Sequence, residues 1–186
     1  MYNFIKQPDR NSCGPVALYN LLIWSYQGSI KPNLRSLIKS CKCGPPHGTY
    51  FAEFNQSLMI LLDTNSNVVL DQIIFPVVYE QVCEKLAANM CMILLFHWED
   101  PKNNTRNPDE TNEIEMGEHY VLVTCVDKNR FCLINSDNPE KKYPIIEWIT
   151  NKEMKKFLEP YQYFPGTKYQ NASDCIYPKA WFFRKK

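Results

Sequence analysis

The hydrophobic pattern changes period near the middle of the chain, and the change divides the expected elements into two groups. From Val16 to Trp24 the run Val-Ala-Leu-Tyr-Asn-Leu-Leu-Ile-Trp is apolar on nearly every side, which predicts a helix buried all round. Ser12-Cys13-Gly14-Pro15 opens it, since serine or its neighbour can cap and proline is tolerated in a first helical turn. Gly28 is its expected stop. A second helix is predicted from Asn33 to Ser40. A third runs from about Tyr50 to Leu62, where Phe51, Phe54, Leu58, Leu61 and Leu62 recur at helical spacing, and Val78, Val82 and Leu86 predict a fourth between Val78 and Asn89.

Beyond Asn89 the runs shorten. Cys91 to Phe96, His119 to Val126 and Arg130 to Asn135 are β-branched or aromatic stretches bounded by turn residues, and predict strands. The most apolar run, Met90 to Trp98, is too short to cross a bilayer as a helix and reads as a buried strand. Glu99 to Glu115 is polar and holds Pro101, Asn103, Asn104 and Pro108; it predicts a surface loop long enough to reach over a cleft. Thr150 to Leu158 predicts a short helix, with Thr150 and Glu153 at capping-box spacing. Ala180 to Arg184 predicts a last strand. The expected fold class is therefore α+β: one domain over 1–186, with a helical half at about 1–89 packed on an antiparallel sheet formed by about 90–186.

Composition narrows the function classes. The chain has 186 residues and 45% hydrophobic content, enough for a core without disulfides or metals. Lys plus Arg (21) and Asp plus Glu (20) nearly cancel, so no long-range field would gather nucleic acid or an anionic membrane. Eight cysteines in a chain of this length, behind a start that lacks an apolar signal core, read as reduced thiols, and the expected location is cytoplasmic.

Candidate chemistry follows from where the elements begin. A helix N-terminus lowers a thiol pKa through its unpaired amides and its dipole, which makes the thiol a better nucleophile. Cys13 stands at such a terminus. Upstream lies Gln7, whose side-chain amide could join the Cys13 backbone amide in donating to a developing oxyanion. Of the three histidines, His119 is the expected base, because it begins an apolar strand directly after Gly117-Glu118. If Asp127 to Arg130 make a tight turn, antiparallel register sets residue 119 opposite residue 137 or 138, and Asp137 arrives beside His119. A carboxylate there holds the imidazole in the tautomer that accepts the thiol proton. Asn135 points to the same strand face and is the alternative orienting residue.

Gln7-Pro-Asp9-Arg-Asn-Ser-Cys13-Gly14-Pro15-Val-Ala17-Leu18 resembles the cysteine box of papain-like peptidases of the bacteriocin-processing type, which remove leader peptides after a double glycine. Gly48-Thr49-Tyr50 and His119-Tyr-Val-Leu-Val follow in the family's order. Asn135-Ser-Asp137-Asn-Pro139 stands where the family has Asp-Pro, which leaves both Asn135 and Asp137 open as the third triad member. The resemblance implies a papain-like fold, a Cys13-His119-Asp137 triad with Gln7 in the oxyanion hole, and a peptide or protein substrate with Gly-Gly before the cut. Leader peptidases of this kind usually front a membrane transporter. This sequence has no membrane span and no Gly-rich phosphate loop, so a stand-alone domain is expected.

Blander roles compete for several residues. A cysteine near the start of an apolar helix is often a small core residue; Gln7, Gly14, Pro15 and the downstream His-strand-Asp pattern tip Cys13 toward chemistry. His97 reads as a strand-end residue and His47 as a loop residue. Cys41-Lys-Cys43 with His47 invites a zinc reading, but a fourth ligand would have to come from afar, such as Cys175, so no metal is expected. Cys83, Cys91, Cys125 and Cys132 read as core thiols. No cofactor is needed for acyl chemistry of this kind. The reading is a cysteine protease. Its alternatives are a deubiquitinase or related isopeptidase, since ubiquitin-like proteins also end in Gly-Gly, an acyltransferase with the same triad, and a binding module that keeps the fold. The sequence leaves oligomeric state open.

Overall fold

Every residue of α1 (Cys13–Ser25) is buried, as a helix without a polar side requires. Gln27 (φ 54°) and Gly28 (φ 81°) then turn the chain in left-handed conformations, and the Gly28 amide returns to the Ile23 carbonyl at 2.8 Å. Asn33 caps α2 (Leu34–Ser40) by accepting from the Ser36 amide. α3 (Phe51–Thr64) buries Phe54, Leu58 and Leu61 of the set its periodicity predicts, leaves Phe51 and Leu62 half-buried, and adds Ser57. The structure, a computed structural model, describes residues 2–9, 11–44, 48–65, 67–98, 117–134, 146–162 and 175–186.

Strand β1 (Val68–Ile74) follows, then α4 (Tyr79–Ala87), which buries Val82 and Leu86. After it come β2 (Cys91–Trp98), β3 (Gly117–Asp127), β4 (Arg130–Ile134), β5 (Ile146–Thr150), α5 (Asn151–Leu158), β6 (Tyr161–Gln162), β7 (Cys175–Ile176) and β8 (Lys179–Lys185). Six of the strands form one antiparallel sheet in the order β1-β8-β2-β3-β4-β5, and β6 and β7 pair separately.

Strand alternation gives the sheet two apolar faces. Ile93, Leu95, Tyr120, Leu122, Trp181 and Phe183 share a core with α1 and α3. Met92, Leu94, Phe96, Val121, Val123 and Phe182 share the opposite core with α4 and α5. Because β2 is covered on both sides, its residues from Cys91 to Phe96 are all buried, which accounts for their unbroken apolar run. Among the described residues no helix is long and apolar enough to cross a membrane.

Two strands of the six-stranded sheet escape the sequence pattern, and both are outermost; the separate β6-β7 pair escapes it too. β1 lies within the half expected to be helical, and β5 was not anticipated. β1 carries Asp71-Gln72 in its middle, and its one neighbour among the described residues, β8, comes from the far end of the chain. β5 leaves Ile146 and Thr150 exposed. An edge strand needs only half a strand's burial, so its polarity resembles that of a loop.

The β3-β4 hairpin turns at Asp127↔Arg130 as expected, but a bulge at Thr124 shifts the register to Val123↔Leu133 and Leu122↔Ile134. Asn135, Asp137, His47 and the polar stretch from Glu99 to Glu115 lie outside the described residues.

Candidate functional site

Cys13 is the first residue of α1, where backbone amides surround its sulfur. Pro15 has no N–H, and the Val16 amide bonds to the Ser12 carbonyl at 3.0 Å. Ser12 occupies the N-cap position, yet its side chain makes no capping bond, and its buried hydroxyl has no hydrogen-bond partner among the described residues. The amides of Gly14 and of Cys13 itself are thus left for the thiol, and both bond to it. A third amide, that of Tyr120 on β3, completes the ring of donors.

These donors stabilise a thiolate, as the helix-terminus argument predicts. They do not prevail. The Cys13 side chain is only 5% exposed, and burial, the largest influence, pushes the thiol up from 9.0 to about 11, with nearby Cys43 adding to the rise. The expectation of a lowered pKa is therefore corrected for the resting site: loss of water outweighs three backbone donors.

The loop before α3 supports the Cys13-Gly14 step from beneath. The Cys43 thiol donates to the Asn11 carbonyl at 2.8 Å, and the Thr49 hydroxyl reaches the same carbonyl at 3.4 Å. Asp9 accepts from the Asn11 amide at 2.8 Å. A Cβ on Gly14 would lie 2.7 Å from Thr49 Cγ2, so only glycine fits. Gly48, at φ 69°, makes the left-handed bend that delivers Thr49. The thiol of Cys41 is buried and bonded to Ser57. Among the described residues no three His, Cys, Asp or Glu side chains gather as metal ligands.

Gln7 is 3% exposed in the segment leading to α1. That segment is anchored by Asn20, the one strongly polar residue inside the apolar helix: its side chain accepts from the Ile5 amide at 3.0 Å and donates to the Ile5 carbonyl at 3.1 Å. Hydrophobic periodicity alone does not single out Asn20. A lone amide in an otherwise apolar helix is the signal that could have found it, because a buried amide must be satisfied.

His119 is also buried. Its ring meets Phe96 edge-on, with centroids 5.7 Å apart and planes at 84°, and Phe96 stacks on Phe157. Tyr120 turns to the other face, where its ring stacks on Phe54 at 4.4 Å. Because the Tyr120 amide bonds to the Cys13 sulfur, the thiol lies against the β3 backbone at the residue next to His119. The structure thus brings Cys13 to the start of the strand that carries His119. The proposed orienting residues, Asp137 and Asn135, lie outside the described part.

No family model matches the sequence, and no curated protein matches it. Solved structures do. The peptidase domain of Streptococcus ComA, a bifunctional ABC transporter involved in quorum sensing, is similar with a TM-score of 0.56 at 12% identity, over 98% of each chain. A double glycine motif protease from an AMS/PCAT transporter, solved in complex with its leader peptide, gives a TM-score of 0.54 at 10% identity, over 98% of this chain and 91% of that one. A C39-like peptidase from Bacillus anthracis gives 0.57 at 12% identity, over 100% of this chain and 96% of that one. The chain has the α+β, papain-like fold of these peptidase domains.

Proposed function

We propose that the protein is a cysteine peptidase that cuts after a Gly-Gly motif, with Cys13 as nucleophile, His119 as base, Asp137 orienting the imidazole, and Gln7 with the Cys13 amide receiving the oxyanion. The observation that carries this reading is the amide ring around the Cys13 sulfur, one member of which belongs to the residue after His119. A sulfur with such donors is prepared for negative charge, while its resting pKa near 11 keeps it neutral until a base takes the proton.

The steps follow from these roles. His119 removes the thiol proton as sulfur attacks the carbonyl carbon, and charge builds on the carbonyl oxygen facing Gln7 and the Cys13 amide. His119 then protonates the leaving amine, the C–N bond breaks, and a thioester remains. Water, deprotonated by the same imidazole, releases the acid and regenerates the thiol. Asp137 is preferred over Asn135 because a carboxylate stabilises an imidazolium better than an amide does. The similar double glycine protease bound to its leader peptide supports a peptide substrate.

Intact-mass labelling with electrophilic warheads on a Gly-Gly peptide and on the ubiquitin C-terminus tests the proposal. Rapid single labelling by the peptide warhead, lost in Cys13→Ala and His119→Ala, is the expected result. Preference for the ubiquitin warhead would make the enzyme a deubiquitinase. Labelling no faster than that of an ordinary thiol, and indifferent to His119, would leave a non-catalytic binding module.

A further inference from the structure

A second thiol centre sits on the hairpin that follows His119. Cys125 on β3 and Cys132 on β4 stand directly opposite each other in the antiparallel register. Side chains in such a pair project to the same face, and their Cα atoms are about 4.5 to 5.5 Å apart, inside the range of about 4.4 to 6.8 Å that a disulfide spans. The Cys132 thiol interacts with Cys125 and with the Thr124 side chain. Thr124 is the unpaired residue of the bulge, so the hairpin is locally irregular where the two thiols meet.

The two thiols differ in access. Cys132 is buried, whereas Cys125 is half-buried and lines a cavity of about 560 Å³ with Trp24, Met90, Arg184 and Lys185 among its other walls. The Lys185 ammonium lies 4.4 Å from the centre of the Trp24 ring, and Arg184 lies 3.9 Å from Asp71, which also holds Lys85 at 2.7 Å. An open thiol with a covered partner at its back, beside a cavity bearing two cationic side chains, is the arrangement needed to receive a small anionic disulfide and then expel it.

We infer that Cys125 and Cys132 form a reversible redox-modification site, in which Cys125 is attacked first and Cys132 resolves, with a low-molecular-weight anionic disulfide of the glutathione type as oxidant. The Cys125 thiolate attacks one sulfur of the oxidant, whose S–S bond breaks and releases one thiol. Cys132 then gives up its proton and attacks the Cys125 sulfur, the mixed disulfide breaks, and the second thiol leaves. Two protein thiols become one disulfide, and the two electrons reduce the oxidant to two thiols.

Trypsin cuts after Lys128 and Arg130, between the two cysteines, so a digest separates them unless they are linked. Native protein treated with oxidised glutathione, alkylated and digested without reductant should yield the Cys125 and Cys132 peptides as one joined species that dithiothreitol splits. Cys132→Ser should trap glutathione on Cys125, raising that mixed disulfide by roughly tenfold or more because its resolving thiol is gone. Cys125→Ser should leave Cys132 unmodified in the folded protein. Separate mixed disulfides on both cysteines of the wild type, a link that forms only in urea, or no reaction at either thiol would overturn the inference. Each readout is a peptide mass, independent of whether Cys13 has peptidase activity.

Discussion

Helices α1 and α5 both start behind a hydroxyl residue, and they use it in opposite ways. At α5 the Thr150 hydroxyl accepts from the Glu153 amide while the Glu153 carboxylate takes the Thr150 amide, a closed capping box; the carboxyl of Glu153 is held below its usual range by those bonds. At α1 the Ser12 hydroxyl caps nothing, and the Gly14 and Cys13 amides go to a sulfur instead. α5 has little apolar surface, burying only Met154 and Leu158, and depends on local bonds at its end. α1 is enclosed on all sides, so its stability comes from the core and its terminus is free for other use. The difference separates a helix start that serves the fold from one available for chemistry.

The comparison is broken most severely at the sulfur. Cys13→Ala should abolish turnover of a Gly-Gly peptide, by about 10⁴-fold or more, while the thermal unfolding midpoint moves little; substantial residual activity would move the chemistry elsewhere. Gln7→Ala should lower kcat by about 10²-fold with KM nearly unchanged, as expected for a donor that engages only the transition state. An equal loss through KM would make Gln7 a structural residue.

Gly14→Ala tests the support beneath the thiol. Its new methyl would overlap Thr49 Cγ2, which should cost about 1–3 kcal/mol in denaturant unfolding. Adding Thr49→Ala should recover part of that loss, because it removes Cγ2 and Oγ1 but leaves the Thr49 Cβ in place.

Alkaline pH probes the same burial. Cys13 and Cys41 are both raised from 9.0 to about 11 by loss of water. The folded chain therefore holds these protons at pH values where the unfolded chain has released them, and stability is full below pH 9 and falls as pH rises toward 11. A urea midpoint at pH 10 should be lower than at pH 8, and Cys41→Ala should flatten the difference. The smallest effect belongs to α5: Thr150→Ala should cost about 1 kcal/mol and leave Cys13 labelling unchanged, since that cap has no part in the site.

Local patterns carried most of the architecture because their causes are local. The unbroken run from Val16 to Trp24, the capping pair Thr150 and Glu153, and the doubly covered β2 each follow from a few neighbouring residues, and Cys13, Gly14 and the Gly48-Thr49 pair were legible as one resemblance. The missed strands and Asn20 depended on distant partners: β1 exists because β8 lies beside it, and Asn20 is satisfied only by the backbone of Ile5. The sequence by itself determined which residues could do chemistry and which helix would present the thiol, since residue type and periodicity are properties of the chain. Only the tertiary structure decided the thiol's resting state. Its pKa is a balance between amides brought from two elements and water excluded by the whole core, and neither quantity exists until the chain has folded.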